Sequence, residues 1–257
     1  MTLVLIAGDG APASGDGDYL LQPDAAVFVT DSGHAFVLNM ADQFYAVPPV
    51  GALMLQRTLQ QGEDSALRAV VDRYDVDRSV AQADLHRLLA DLRQRGVLRR
   101  RGEPQRSPRR AFGAGMIARL ASRIAAIAPS PKARAVAMVA LARLSLLLFG
   151  WSATFSAWRR RVPLPPAVQA VGPRLSVDTI DAVVRSAASR LPSGASCKER
   201  ALAAWALTRL AGLPSSLIVG IMQHPLRAHA WCETADARVV GDDVTICRRY
   251  QPVFRYG

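Results

Sequence analysis

Three residues in the C-terminal part of the chain carry types and spacings that could do chemistry: Cys197, His229 and Asp242, in the segments SCKERALAAW, HPLRAHAWCE and ARVVGDD. A thiol is a useful nucleophile only when its surroundings lower its pKa from about 8.5. Two devices that do so are a helix N-terminus and a neighbouring imidazole, and this spacing offers both. Ser196 is a good helix N-cap, which puts Cys197 in the first turn, where unpaired backbone N–H groups favour negative charge. An acid on a later turn can then orient the imidazole and stabilise its charged form.

Regular elements must bring the three together. Leu202, Trp205, Ala206, Leu210 and Leu213 recur at helical spacing, and Gly212 and Pro214 end the helix. Ser216–Met222, rich in aliphatic and β-branched residues, reads as a buried strand. In the next strand, Arg227–Glu233, alternation places Arg227, His229, Trp231 and Glu233 on one face and Ala228, Ala230 and Cys232 on the other. Ala237–Gly241 is a third short strand, and a hairpin with its predecessor brings Asp242 or the adjacent Asp243 near His229. Cys232 faces away, Cys247 sits among arginines near the C-terminus, and His224 precedes a proline in a loop, so all three read as ordinary residues. No C-x₂-C or H-x₃-H spacing supports a metal site, and no cofactor is expected.

Residues 185–257 resemble the leader peptidase of lasso-peptide biosynthesis, a bacterial member of the transglutaminase-like fold. The matching residues are Cys197 with Arg200 and Ala201-Leu202, Gly212-Leu-Pro214, Leu217-Ile-Val-Gly220, Ala228-His-Ala-Trp231-x-Glu233, Val239-Val-x-Asp242 and Tyr250-x-Pro-Val253. The resemblance implies a cysteine endopeptidase with a triad in which Cys197 is the nucleophile, His229 the base and then acid, and Asp242 the orienting carboxylate. Papain has a glutamine upstream of its cysteine to bind the oxyanion. Here Gly194, Ala195 and Ser196 stand just before Cys197, so the oxyanion falls to backbone N–H groups, that of Cys197 being the obvious donor.

Residues 1–96, with a core from about residue 19, read as a separate unit. Three short strands, Ala26–Thr30, His34–Asn39 and Gln43–Val47, precede three helices: Val50 to Leu59, one carrying Leu67, Val70, Val71 and Tyr74, and one opened by Ser79 that ends before Gly96. This is a small winged-helix arrangement. Its seven arginines face thirteen acidic residues, a net −6. Binding nucleic acid requires neutralising phosphates with positive side chains, so no nucleic-acid partner is expected.

The same unit is similar to the precursor-peptide recognition element of ribosomal peptide pathways, through Leu38-Asn39, Phe44-Tyr45, Val50-Gly51 and the ending Leu89-x-x-Leu92-x-x-x-Gly96-Val-Leu98. That similarity implies a leader peptide added as a strand along Gln43, Phe44, Tyr45, Ala46 and Val47. It would pack against the helix that bears Asp84, Arg87, Leu88 and Asp91. Leu85, Leu88, Leu89 and Leu92 individually read as core.

Residues 97–115, with Arg99-Arg-Arg101 and Arg109-Arg110 among prolines and glycines, read as a basic linker ahead of a peptidase domain over 116–257. From 97 to 175 fifteen basic residues face one acid, net +14, which is also the signature of a docking surface for an acidic leader or partner. Arg134 and Arg143 interrupt the apolar stretch 133–158, leaving a 15-residue uncharged run at Leu144–Trp158. That is short of the ~20 residues a membrane helix needs. A buried helix without membrane insertion is expected, with an interfacial or partner-facing segment second. The first residues lack the basic start of a secretory signal, and three cysteines form no disulfide framework, so a reducing cytoplasm is expected.

The expected fold is therefore α+β: a winged-helix-like unit followed by a transglutaminase/papain-like cysteine peptidase domain. The expected function is removal of the leader from a lasso precursor before macrolactam formation. No nucleotide-binding loop is present; the resemblance implies an ATP-using macrolactam cyclase as partner. An acyl-transferase of the same fold and a binding module with a vestigial triad are the alternatives.

Overall fold

The computed structural model describes residues 4–7, 17–22, 25–30, 33–40, 43–103, 108–162, 175–191, 193–223 and 225–257. The chain divides into two compact units, Met1–Arg106 and Ser107–Gly257. His224 lies outside the described residues.

In the first unit β1 (Val4–Ala7), β3 (Ala25–Val29), β4 (Ala35–Asn39) and β5 (Gln43–Val47) form an antiparallel sheet in the order β1-β3-β4-β5. β2 (Tyr19–Leu21) pairs separately with β6 (Leu98–Arg100). Three helices follow the sheet: α1 (Pro49–Gln61), α2 (Glu63–Tyr74) and α3 (Arg78–Gln94). Pro49 suits the first turn of α1, where its missing N–H is no loss. Gly62, at φ 88°, separates α1 from α2 in a conformation that suits a glycine. Asp77, not Ser79, caps α3: its carboxylate accepts the Ser79 N–H at 2.7 Å, one of the donors a helix start leaves unpaired. Leu55, Leu85, Leu89 and Leu92 from the helices meet Val27, Ala35 and Val37 from the sheet in one core.

The stretch expected as a linker is partly folded. Val97 and Leu98 are buried in that same core, so β6 belongs to the first unit. At the other end, a helix already starts at Pro108. The arginines flagged the segment as solvated; the apolar pair before them decided where the unit ends. β1, β2 and β6 add to the three strands expected.

The second unit contains α4 (Pro108–Ile127), α5 (Pro131–Arg161), α6 (Val177–Arg190), α7 (Cys197–Leu210) and the short α8 (Val244–Cys247). Its sheet is antiparallel, β10-β7-β8-β9, made of β10 (Gln251–Tyr256), β7 (Ser215–Gln223), β8 (Leu226–Thr234) and β9 (Val239–Val240). β9 is only two residues long, shorter than the strand expected over 237–241, and pairs Val240 with Cys232 and Val239 with Glu233. The middle of α7, Ala201–Thr208, is buried all round, with Trp205 in ring contact with Phe155 of α5.

α5 is long and apolar enough to cross a membrane by length and composition. It is interrupted at Gly150, which adopts φ 74°. The carbonyl of Ser145, freed by the break, is taken by the Thr154 hydroxyl at 2.9 Å, and Trp158 Nε1 donates to Ser145 Oγ. One face of α5, including Met138, Val139, Ala142 and Trp158, is buried.

Candidate active site

Cys197 opens α7. Ser196 Oγ accepts the Glu199 N–H while Glu199 Oε2 accepts the Ser196 N–H at 3.0 Å, a reciprocal capping box. Arg143 of α5 pairs with the same Glu199 oxygen at 3.1 Å and donates to the Gly194 carbonyl, which pins the turn that precedes the nucleophile. In sequence Arg143 reads as an interruption of an apolar helix. In the fold it is the tie between that helix and the start of α7.

β8 carries His229 beside α7. The Cys197 thiol is electrostatically coupled to the His229 imidazole and to the Ala230 backbone N–H. His229 Nε2 is 3.0 Å from Asp242 Oδ2, which leaves Nδ1 for the sulfur. Burial works against a charged thiol here. The imidazole, the Ala230 N–H and the charges of His229 and Lys198 outweigh it, and the Cys197 pKa falls below its ordinary value of 9.0. Burial likewise opposes the imidazolium, yet Asp242, then Cys197 and Cys247, push the His229 pKa up to about 11. The two shifts belong to one coupled pair, and each moves it towards the thiolate–imidazolium form.

Asp242 is fully buried and fully engaged. Its Oδ1 accepts the Asp243 N–H at 2.8 Å, and its Oδ2 meets both His229 and, at 3.1 Å, Arg200 Nη2 from α7. Burial would raise its pKa; the hydrogen bonds from His229 and Asp243 and the charge of Arg200 bring it below the ordinary carboxylate value. The neighbouring Asp243 has other work. It caps α8 by accepting from Thr245 N–H at 2.8 Å, so of the two acids Asp242 is the one that meets the imidazole.

The loop bearing Asp242 is tied to α6, a helix absent from the sequence reading. Asp181 Oδ1 accepts the Gly241 N–H at 2.8 Å, and Arg185 donates to the Asp242 carbonyl. Gly241 sits at φ 77°, and a Cβ there would come within 2.7 Å of Val184 on α6, so only glycine lets the loop lie this close. The signal was present: Ser176 as cap, then Ile180, Val183, Val184 and Ala187 at helical spacing.

Two aromatic rings stack with the base: Tyr250 at 5.0 Å between ring centroids and Trp231 at 6.2 Å. Gly220, paired with His229 across β7 and β8, makes room for both; a Cβ would approach Trp231 to 2.7 Å and Tyr250 to 2.9 Å. Cys247, expected to be ordinary, is buried beside His229 because α8 folds back towards β8. Its sulfur, the Asp242 carboxylate and a ring nitrogen of His229 lie within 4.8 Å of one another. These three could chelate a cation, but the Arg200 guanidinium already supplies the positive charge that the carboxylate needs. Cys232 is remote from this chemistry: burial lifts its thiol to about 12.

The residues expected to bind a leader fall on one edge of the first unit. β5 is the end of its sheet among the described residues, with Gln43 to Val47 opposite Asn39 to Ala35 of β4. Tyr45 is half-buried under the Arg95 guanidinium, 4.5 Å from the ring centroid, Ala46 is exposed and Val47 buried. On α3, Asp84 pairs with Arg87, Asp91 pairs with Arg95, and Leu88 is half-buried against the core. A Cβ at Gly51 of α1 would meet Val47 at 2.8 Å and Leu88 at 3.6 Å, so β5, α1 and α3 converge there. Leu85, Leu89 and Leu92 are core.

With both arrangements defined, comparison with known families separates the chain in the same way. Residues 145–255 match the transglutaminase-like superfamily, which includes cysteine peptidases and acyltransferases. Residues 26–98 match coenzyme PQQ synthesis protein D, a precursor-peptide recognition element. The C-terminal domain is therefore transglutaminase-like, and the chain fuses it to a recognition-type unit. No curated protein and no solved structure matches the chain.

Proposed function

We propose that this protein is a cysteine endopeptidase that captures the leader of a lasso-type precursor peptide along β5 and α3 and cuts it from the core peptide at Cys197. One observation carries the reading: Cys197, coupled to a His229 that meets Asp242 at 3.0 Å, occurs in the same chain as a precursor-recognition unit.

In this reading the Cys197 thiolate attacks the scissile carbonyl carbon, and the developing oxyanion is met by the Cys197 N–H at the start of α7. The imidazolium of His229 gives its Nδ1 proton to the leaving amine as the C–N bond breaks, which frees the core peptide and leaves the leader as a thioester on Cys197. Neutral His229 then takes a proton from water as the water attacks the thioester. Collapse releases the leader carboxylate and restores the thiolate–imidazolium pair. Asp242 holds the ring and offsets its charge throughout, and Arg200 keeps Asp242 ionised. Holding the leader on the same chain raises the local concentration of the cleavage junction. The reaction is placed in the cytoplasm, where the thiol stays reduced and where an ATP-using cyclase takes the freed amine.

The test is incubation of the full chain with a synthetic precursor, read by mass spectrometry, with and without cyclase and ATP. Free leader and free core are expected, and none with Cys197→Ala. Transfer of the leader to an added amine would instead assign acyl transfer; unchanged precursor under every condition would reduce the chain to a binding protein.

A further inference from the structure

α4 and α5 up to Leu144 lie between the two family matches, at 26–98 and 145–255, and the rest of α5 lies inside the second. The two helices are joined by a short turn at 128–130 and run antiparallel, with Phe149 of α5 against Gly113 of α4. Each leaves an apolar stripe in solvent. On α4 the stripe is Met116, Leu120 and Ile127; on α5 it is Leu144, Leu147 and Leu148, at spacings that keep each set on one helix face. Ile127 is 79% and Leu147 75% exposed, values foreign to a side chain meant only for water.

The charge beside these stripes has one sign. Residues 108–162 contain ten lysines and arginines and no acidic residue. Arg119 and Arg123 share the exposed face of α4, Lys132 opens α5, and Arg159, Arg160 and Arg161 close it, all exposed. Exposed leucines bordered by long basic side chains are the composition of a helix lying in the headgroup plane of an anionic bilayer. Arginine and lysine stems follow the apolar surface while their heads reach the phosphates.

We infer that the α4–α5 hairpin seats the protein on an anionic lipid surface. It lies on the membrane and does not cross it. The opposite face of α5 is committed to the protein core through Met138, Val139, Ala142 and Trp158, the helix is broken at Gly150, and Arg143 is ion-paired to Glu199. A crossing would expose all of these to hydrocarbon. Lipid fits better than an acidic protein because the cations bracket apolar stripes on two helices, a layout that matches a headgroup plane without position-by-position partners.

The experiment is flotation of the full chain with vesicles of phosphatidylcholine alone and with about one quarter phosphatidylglycerol, at low and high salt. Flotation is expected only with the anionic vesicles and weaker at high salt. Leu147→Asp with Leu148→Asp should lower the bound fraction at least about tenfold, as should Arg119→Glu with Arg123→Glu. Circular dichroism and an unchanged alkylation rate at Cys197 establish that the variants fold. Failure to float on anionic vesicles, equal flotation on both compositions, or indifference to both double variants would overturn the inference. Cleavage of a soluble precursor needs no lipid, so either result leaves the peptidase reading to its own test.

Discussion

Under the proposed function, the two units would meet their substrate through opposite physical means. The first offers backbone: β5, the end of its sheet among the described residues, flanked by an amphipathic helix whose charges pair with each other, Asp84 with Arg87 and Asp91 with Arg95. The second offers charge: a thiol and an imidazole in a largely buried setting, both shifted towards their ionised forms, beside a carboxylate and an arginine. Main-chain pairing tolerates many sequences and gives affinity through length. A buried charge pair acts on one bond and tolerates little displacement. Dividing the labour lets recognition vary without disturbing the chemistry.

That division can be broken experimentally, beginning with the largest effect. Cys197→Ala should abolish cleavage, a fall of at least about 10⁴-fold in kcat, while a fluorescently labelled leader still binds with unchanged Kd. A matching loss of leader affinity would show that the units are not separable. Asp242→Asn removes the charge that supports the imidazolium and should lower kcat roughly 10²- to 10⁴-fold.

The pH profile follows from the same pair. The Cys197 pKa is depressed, so the thiolate is lost only as pH falls through a value below the ordinary 9.0. The His229 pKa is raised, so the imidazolium is lost as pH rises through about 11. Iodoacetamide should therefore alkylate Cys197 rapidly at pH 7. Asp242→Asn should move the alkylation profile towards that of an ordinary thiol.

Leu88→Asp tests the other side. It places a charge where β5, α1 and α3 converge and should weaken leader binding at least about tenfold, leaving alkylation of Cys197 at its original rate. The smallest effect is expected from Asp77→Ala, which removes the cap of α3 and should slightly lower the chemical-denaturation midpoint of the first unit, with no change in the second.

The parts that sequence made visible are those in which local pattern and tertiary role agree. The capped helix after Ser196, the alternation that sets His229 beside Trp231, and the β8–β9 hairpin that delivers Asp242 all obey local rules. The α1–α3 array was readable for the same reason. Cys247 was not: it reaches His229 only because α8 turns back, and no spacing in the chain reports that. Arg143 reads only as an interruption of an apolar helix and Arg200 only as a residue of the nucleophile motif, because their acidic partners lie 56 and 42 positions away. β1, β2 and β6 are three- or four-residue strands, too short for alternation to show. The α6 helix had a readable cap and stripe, but its importance comes from Gly241, whose missing side chain lets the Asp242 loop rest against it.

That resting place has a mechanical outcome. The acid limb of the site hangs from α6, while the sulfur and the imidazole sit on α7 and β8. Loosening α6 alone, by heat or by losing Asp181, would leave nucleophile and base in place with their counterweight adrift. Under the proposed function, activity would be lost before the fold.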